Sequence, residues 1–118
     1  MALAVVITNK RYDTKTVRVW FTVTASGTYP TGGDTLSFAG LGLQGVSLAP
    51  LWCEVQGING FIYAYVFGSP ASLSNGKMKA FVEQAVATNT PLAEHTNVAY
   101  VAGITGDTIV GYADFLLR

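Results

Sequence analysis

Four groups of residues in this chain belong to types that carry chemistry: a glycine-rich run, a single histidine, a single cysteine and a scatter of carboxylates. Gly40-Leu-Gly-Leu-Gln-Gly45 matches the G-x-G-x-x-G pattern of dinucleotide binding. That chemistry needs a strand before the loop, a helix N-terminus after it to meet the pyrophosphate, and an acidic residue about 20 positions on. Pro50 comes too soon for the helix, and no Asp or Glu lies between Val55 and Val82. The run therefore reads as a flexible loop, and no nucleotide or other cofactor is expected.

His95, in Glu94-His-Thr-Asn97, has no second histidine to share a zinc or iron ion with. As the base of a serine triad it would need a nucleophile, and no G-x-S-x-G elbow occurs. The residue reads as a surface or loop position. Cys53 stands alone, which excludes an internal disulfide and fits a reducing compartment. Within Leu51-Trp-Cys-Glu-Val55 it reads as a small buried hydrophobe of a strand. Glycoside hydrolysis asks for two carboxylates across a cleft, and spacing alone leaves Asp34, Glu54, Asp107 and Asp114 open as candidates. Scattered acids on a β-sandwich are ordinarily solvated, so neither catalysis nor a metal site is expected.

The elements that would position these residues are extended. From Thr16 to Val23 the chain alternates strictly, with Val17, Val19, Phe21 and Val23 on one face and Thr16, Arg18, Trp20 and Thr22 on the other. Leu3 to Thr8 is β-branched and apolar. The polar stretch Asn9 to Thr14 suits a turn that would join the two as a hairpin. Ser26 to Gly45 holds too many glycines for a long regular element and reads as a wandering loop.

Leu51–Gln56 and Phe61–Phe67 flank Gly57-Ile-Asn-Gly60, and Asn-Gly is a strong hairpin signal, so a hairpin is expected here. After Gly68–Gly76 comes Lys77 to Val86, whose alternation favours a strand. Met78, Phe81, Val82 and Ala85 leave a helix over 77–87 as the alternative. Asn97–Ala102 and Thr108–Leu117 predict a last hairpin around Gly103–Asp107. Seven or eight short strands with regular turn signals make this one all-β domain over residues 1–118, an antiparallel β-sandwich, of which a jelly roll is one form.

Composition narrows the partners. Half the residues are hydrophobic and only 12% are charged, against about 25% in ordinary domains. Seven basic residues balance seven acidic ones and form no stripe, which disfavours nucleic-acid binding. The run Met1–Ile7 lacks a basic flank and is short for a signal peptide. The longest apolar run, Phe61–Phe67, is far below the roughly 20 residues of a membrane helix, so no membrane role is expected. With so little charge, some apolar surface should lie against another protein. Phe61–Phe67 is the prime candidate, because Phe61, Tyr63, Tyr65 and Phe67 share one face, Ile62, Ala64 and Val66 the other, and neither face is polar. Tyr63, Tyr65 and Phe67 are the expected subunit-interface anchors.

From Tyr29-Pro-Thr-Gly-Gly-Asp34 onward the sequence resembles the small head proteins of tailed bacteriophages that decorate or cement the capsid. The features run in order: that motif, the aromatic hairpin near Gly60–Phe67, Asn75-Gly-Lys-Met-Lys-Ala-Phe81, the stretch Thr90-Pro-Leu-Ala-Glu94, and Gly103-Ile-Thr-Gly-Asp-Thr-Ile109. The stretch Leu92–Thr96 departs from the family in its polarity, through Glu94 and His95. The resemblance implies a structural virion protein on the capsid surface, assembled in the host cytoplasm. It also implies the major capsid protein as partner and a homo-oligomer, often a trimer. A carbohydrate-binding or adhesin-like sandwich is the alternative, with Trp20, Trp52, Tyr63 and Tyr65 as stacking platforms beside Asp, Asn or Arg.

Overall fold

The structure, a computed structural model, describes residues 3–82 and 92–117. Strands β1 (Leu3–Tyr12) and β2 (Thr16–Ala25) pair antiparallel from Leu3 opposite Ala25 to Tyr12 opposite Val17. The alternation in β2 sends Val17, Val19, Phe21, Val23 and Ala25 into the core. The reversal is tighter than the polar run suggested. It spans only Asp13–Lys15, closed by the Asp13 N–H donating to the Thr16 carbonyl at 2.7 Å, and Asn9–Tyr12 stays in the strand. Thr8 marks instead a bulge, where the register slips between Ile7 and Asn9. The slip places Asn9 opposite Trp20 and Arg11 opposite Arg18, on the solvent side, which lets polar residues continue the ladder.

The remaining strands are β3 (Asp34–Thr35), β4 (Trp52–Gln56), β5 (Ile62–Val66), β6 (Lys77–Val82), β7 (Ala93–Glu94) and β8 (Ile109–Leu116), with one short helix, α1 (Ala102–Thr105). One sheet runs β1-β2-β8-β4; the other runs β3-β6-β5, with β7 also pairing β6. Every pairing is antiparallel. The two sheets pack face to face as an all-β sandwich, in agreement with the alternation of the sequence. At the centre Phe38 meets Phe21 and Phe115 edge-on, with centroids 5.3 and 5.1 Å away, a favoured geometry for aromatic pairs. Gly111 makes room for the Phe21 ring: a Cβ there would lie 2.6 Å from Phe21 Cζ and 2.5 Å from the Glu54 carbonyl oxygen.

Two expected hairpins are not formed. β4 and β5 belong to different sheets, β4 pairing β8 and β5 pairing β6. The Asn-Gly turn is real, with Gly60 at φ +92°, but it is a crossing between layers. Its hydrogen bonds leave the turn altogether: the Ile58 and Asn59 N–H groups donate to the Asp107 carboxylate and the Asn59 side chain donates to the Gly103 carbonyl. Nor does Asn97–Ala102 pair with the last strand. Both edges of β8 are taken, by β2 and β4. Residues 97–101 therefore make only an isolated bridge, Ala99 with Thr28, and Ala102 begins α1.

The strand reading holds for Lys77–Val82, which β5 pairs through Ile62 opposite Phe81 to Val66 opposite Lys77. The rest of that stretch, 83–87, lies outside the described residues. The glycine-rich run 40–45 is a loop that opens no helix; Gly40, Gly42 and Gly45 all have φ near +75°, where side chains are strained.

The register of β5 settles which of its faces is inward. Tyr63 and Tyr65 lie opposite Ala80 and Met78, both buried, whereas Ile62 and Val66 point to solvent. A lysine at position 65 would put a charge among core residues, so Tyr65→Lys should cost about 3 kcal/mol or more and leave the chain largely unfolded. Val66→Lys should fold normally. Circular dichroism with thermal melts on the two variants distinguishes them; the reverse order of stability would mean the strand is turned the other way.

Candidate functional site

The polar residues that sequence reasoning treated as scattered come together in two places. The first is interior. Tyr29 enters the core and its hydroxyl donates to Glu94 Oε2 at 2.6 Å while accepting the Ala80 N–H at 3.3 Å. Along β6 that N–H falls between the stretch paired by β3 and the stretch paired by β7, so the tyrosine oxygen fills a gap in the ladder. Glu94 also accepts the Gly32 N–H at 2.7 Å. The Gly33 N–H donates to the Pro30 carbonyl, with Gly32 at φ +94°, the positive φ that the third residue of a type II turn requires. Tyr-Pro-Thr-Gly-Gly-Asp is thus a turn clamped by Glu94.

Asp34 ends that motif. It is buried and accepts the Tyr100 hydroxyl at 2.8 Å. His95 packs against the rings of both Tyr29 and Tyr100, with centroids 4.9 and 5.5 Å away, and the two tyrosine rings meet each other at 5.6 Å, so the three form a triangle. The expectation of a surface histidine is therefore corrected: His95 is 3% exposed. Its Nε2 accepts the Val101 N–H, a group that can only donate, so the proton sits on Nδ1 and is donated to the Thr96 carbonyl at 2.7 Å. Both nitrogens of a neutral ring are satisfied, which explains how a histidine is buried without a charge partner. The polarity of Glu94-His95 was the one signal in the sequence that pointed here.

Three of the four carboxylates considered for glycoside chemistry have a side-chain partner: Asp34 holds Tyr100, Asp107 accepts the Tyr63 hydroxyl at 2.7 Å and Asp114 takes Arg18, while Glu54 lies opposite Tyr112 in the ladder. Cys53 is buried and free, with its thiol pushed up to about 12, first by burial and then by the neighbouring charge of Glu54. Among the described residues no group of three His, Cys, Asp or Glu is arranged to hold a metal ion.

The second place is the outer face of the β1-β2-β8-β4 sheet. Arg18 sits opposite Asp114 and grips it with both Nε and Nη2, at 2.7 and 3.0 Å. The same guanidinium lies over the Tyr112 ring, 4.7 Å from its centroid. Tyr112 faces Trp20 across the strands, and Trp52, 52% exposed, faces Asp114. Trp20 divides two shallow hollows, one of about 430 Å³ reaching Arg11, Arg18 and Asp114, the other of about 300 Å³ reaching Glu54, Val110 and Tyr112. Leu51, Val110 and Val6 are exposed nearby.

The three anchors expected on strand 61–67 divide differently. Tyr63 is buried and Tyr65 faces inward, its hydroxyl buried without a partner and pushed up to about 12 by burial. Only Phe67 is exposed, at 43%, with its ring against Tyr65 at 5.1 Å. On the outer face of this smaller sheet the apolar groups offered to solvent are Ile62 and Val66. Trp20 and Trp52 are thus the two of the four proposed stacking aromatics that lie on an outer face. No family model, curated protein or solved structure matches the chain.

The Tyr29–Glu94 pair has a pH signature. The tyrosine hydroxyl, assisted by the Gly32 N–H, holds the Glu94 carboxyl below its ordinary value against the opposing effect of burial. Its folded pKa is depressed, so this contribution is present above the ordinary glutamate value of about 4.3 and is lost as pH falls through the lower folded value. Urea midpoints of the wild type and Tyr29→Phe, measured between neutral and strongly acid pH, should therefore converge as pH falls. A constant gap would mean that the pair contributes nothing through ionisation.

Proposed function

We propose that this chain is a structural protein that binds other protein subunits, and specifically that it decorates the outside of a bacteriophage capsid and cements neighbouring capsid subunits. The observation that carries this reading is the exposure of large apolar side chains on an ordered sheet face: Trp52, Leu51 and Val110 on the outer side of β4 and β8, with Trp20 on the neighbouring β2 opposite Tyr112. Apolar and aromatic groups presented together on a rigid sheet are the material of interface hot spots. The scarcity of charge, 12% of residues, supports the same reading.

The physical role suits the composition. Packaged DNA strains a shell outward, and a small protein straddling a joint adds contact free energy that opposes separation. One contact of ordinary size buries about 1,600 Å². An oligomer gripping several subunits at once gains further through effective concentration. In this reading the Arg18–Asp114 pair fixes the orientation of the face.

A carbohydrate platform is the second reading. It is favoured by the hollows either side of Trp20, which adjoin Arg18, Asp114 and Glu54 and so combine an aromatic plane with hydrogen-bonding groups. Both readings use one face, and one pair of assays separates them. Val110→Lys should lower cosedimentation with tailed-phage capsids assembled from a major capsid protein by about tenfold or more, with circular dichroism unchanged. Undiminished attachment, together with quenching of Trp fluorescence by oligosaccharides, would replace the capsid reading with the sugar one.

A further inference from the structure

We infer that copies of this chain join through the two edges of the β1-β2-β8-β4 sheet, with β1 of one copy adding to β4 of the next. Successive neighbours in that sheet are antiparallel, so three reversals make β1 and β4 run in opposite directions. A second copy related by rotation about an axis along the strands brings its β1 antiparallel to the first copy's β4, and the ladder continues without a change of type. Among the described residues β1 pairs only β2 and β4 pairs only β8, which leaves two rows of main-chain donors and acceptors open to another strand.

Both edges have apolar surface that an added strand would cover. On β1, Val5 and Ile7 face the core but stay half-buried, and Val6 on the other side is 59% exposed. Along β4 runs a groove of about 380 Å³, with Tyr63 and Tyr65 on its far wall and Trp52 at its end.

Charge selects β4 as the partner of β1 in preference to a second β1. The charges of β1 are Lys10 and Arg11, and the only charge of β4 is Glu54. Arg11 lies opposite Arg18, and Glu54 opposite Tyr112, so both belong to the outer face of the sheet. Arg18 is already bonded to Asp114, which leaves the facing Arg11 with a like charge for its neighbour. Glu54 from the next copy would offset it, whereas β1 against β1 adds cations to cations. A head-to-tail contact of this kind forms a closed ring when its rotation closes. The ring deepens the oligomer in the proposed function and does not depend on capsid attachment, which is read in a separate assay.

The test is sedimentation of the full chain at micromolar concentration and low salt, with circular dichroism as the folding control. The wild type should form a ring of three or more copies. Arg11→Glu and Glu54→Arg should each weaken assembly by about tenfold or more, and the double variant, with the charges exchanged, should restore it. Lys77→Glu, a comparable charge change on the other sheet, should leave assembly unchanged. A wild-type monomer or dimer, single variants that assemble normally, a double variant that stays apart, or an equal loss in Lys77→Glu would each overturn the inference.

Discussion

Three tyrosine hydroxyls, each bonded to a carboxylate, hold together what the strands do not reach. Tyr29 with Glu94, Tyr63 with Asp107 and Tyr100 with Asp34 connect residues that are 65, 44 and 66 positions apart. The need for them follows from the architecture. Two of the eight strands are only two residues long, and long irregular stretches lie between the others. Such stretches have main-chain groups with no ladder to join, and buried polar groups left unpaired are costly. A tyrosine brings apolar bulk to the core and a hydrogen bond at its tip, so one residue fills space and ties a loop. Burial first, and the carboxylate second, push the ionisation of all three hydroxyls above the ordinary tyrosine range, which keeps them donors at every physiological pH.

With these three interior hydroxyls occupied, and the Tyr65 hydroxyl the one buried group left without a partner among the described residues, the surface is where recognition can take place. The sandwich offers two kinds of it. Its outer faces present apolar and aromatic side chains, with one oriented ion pair on the larger sheet. Its edges present main-chain groups, and edges of this length are ordinarily protected by bulges, lysines or proline. β1 has a bulge and two cations towards its far end, while Leu3–Ile7 has neither. Faces and edges are separate resources. A protein that must bind its own copies and a different partner at once can use one for each without competition.

The periodicity of the chain determined a good deal without help. Strict alternation in Thr16–Val23 specified a half-buried strand, because a period of two places one set of side chains on one side whatever lies beside it. The bland readings of Cys53 and of the glycine run 40–45 followed from composition and neighbours, which are local properties. Even the polarity of Glu94-His95 was visible, though its purpose was not: nothing in the local sequence says that Tyr29, 65 positions before Glu94, will place its hydroxyl there.

Pairing was decided only by the tertiary structure. Asn59-Gly60 makes a turn in either a hairpin or a layer crossing, and the choice lay with β8, which competes for β4 and offers it five paired residues from Trp52 to Gln56. The same occupied strand shut out 97–102. The inward face of β5 was likewise undetermined by its own residues, since both faces are apolar, and Met78 and Ala80 across the ladder settled it. Alternation is a property of one strand, whereas pairing and orientation are outcomes of competition among strands distant in sequence, and a single strand contains no record of its competitors.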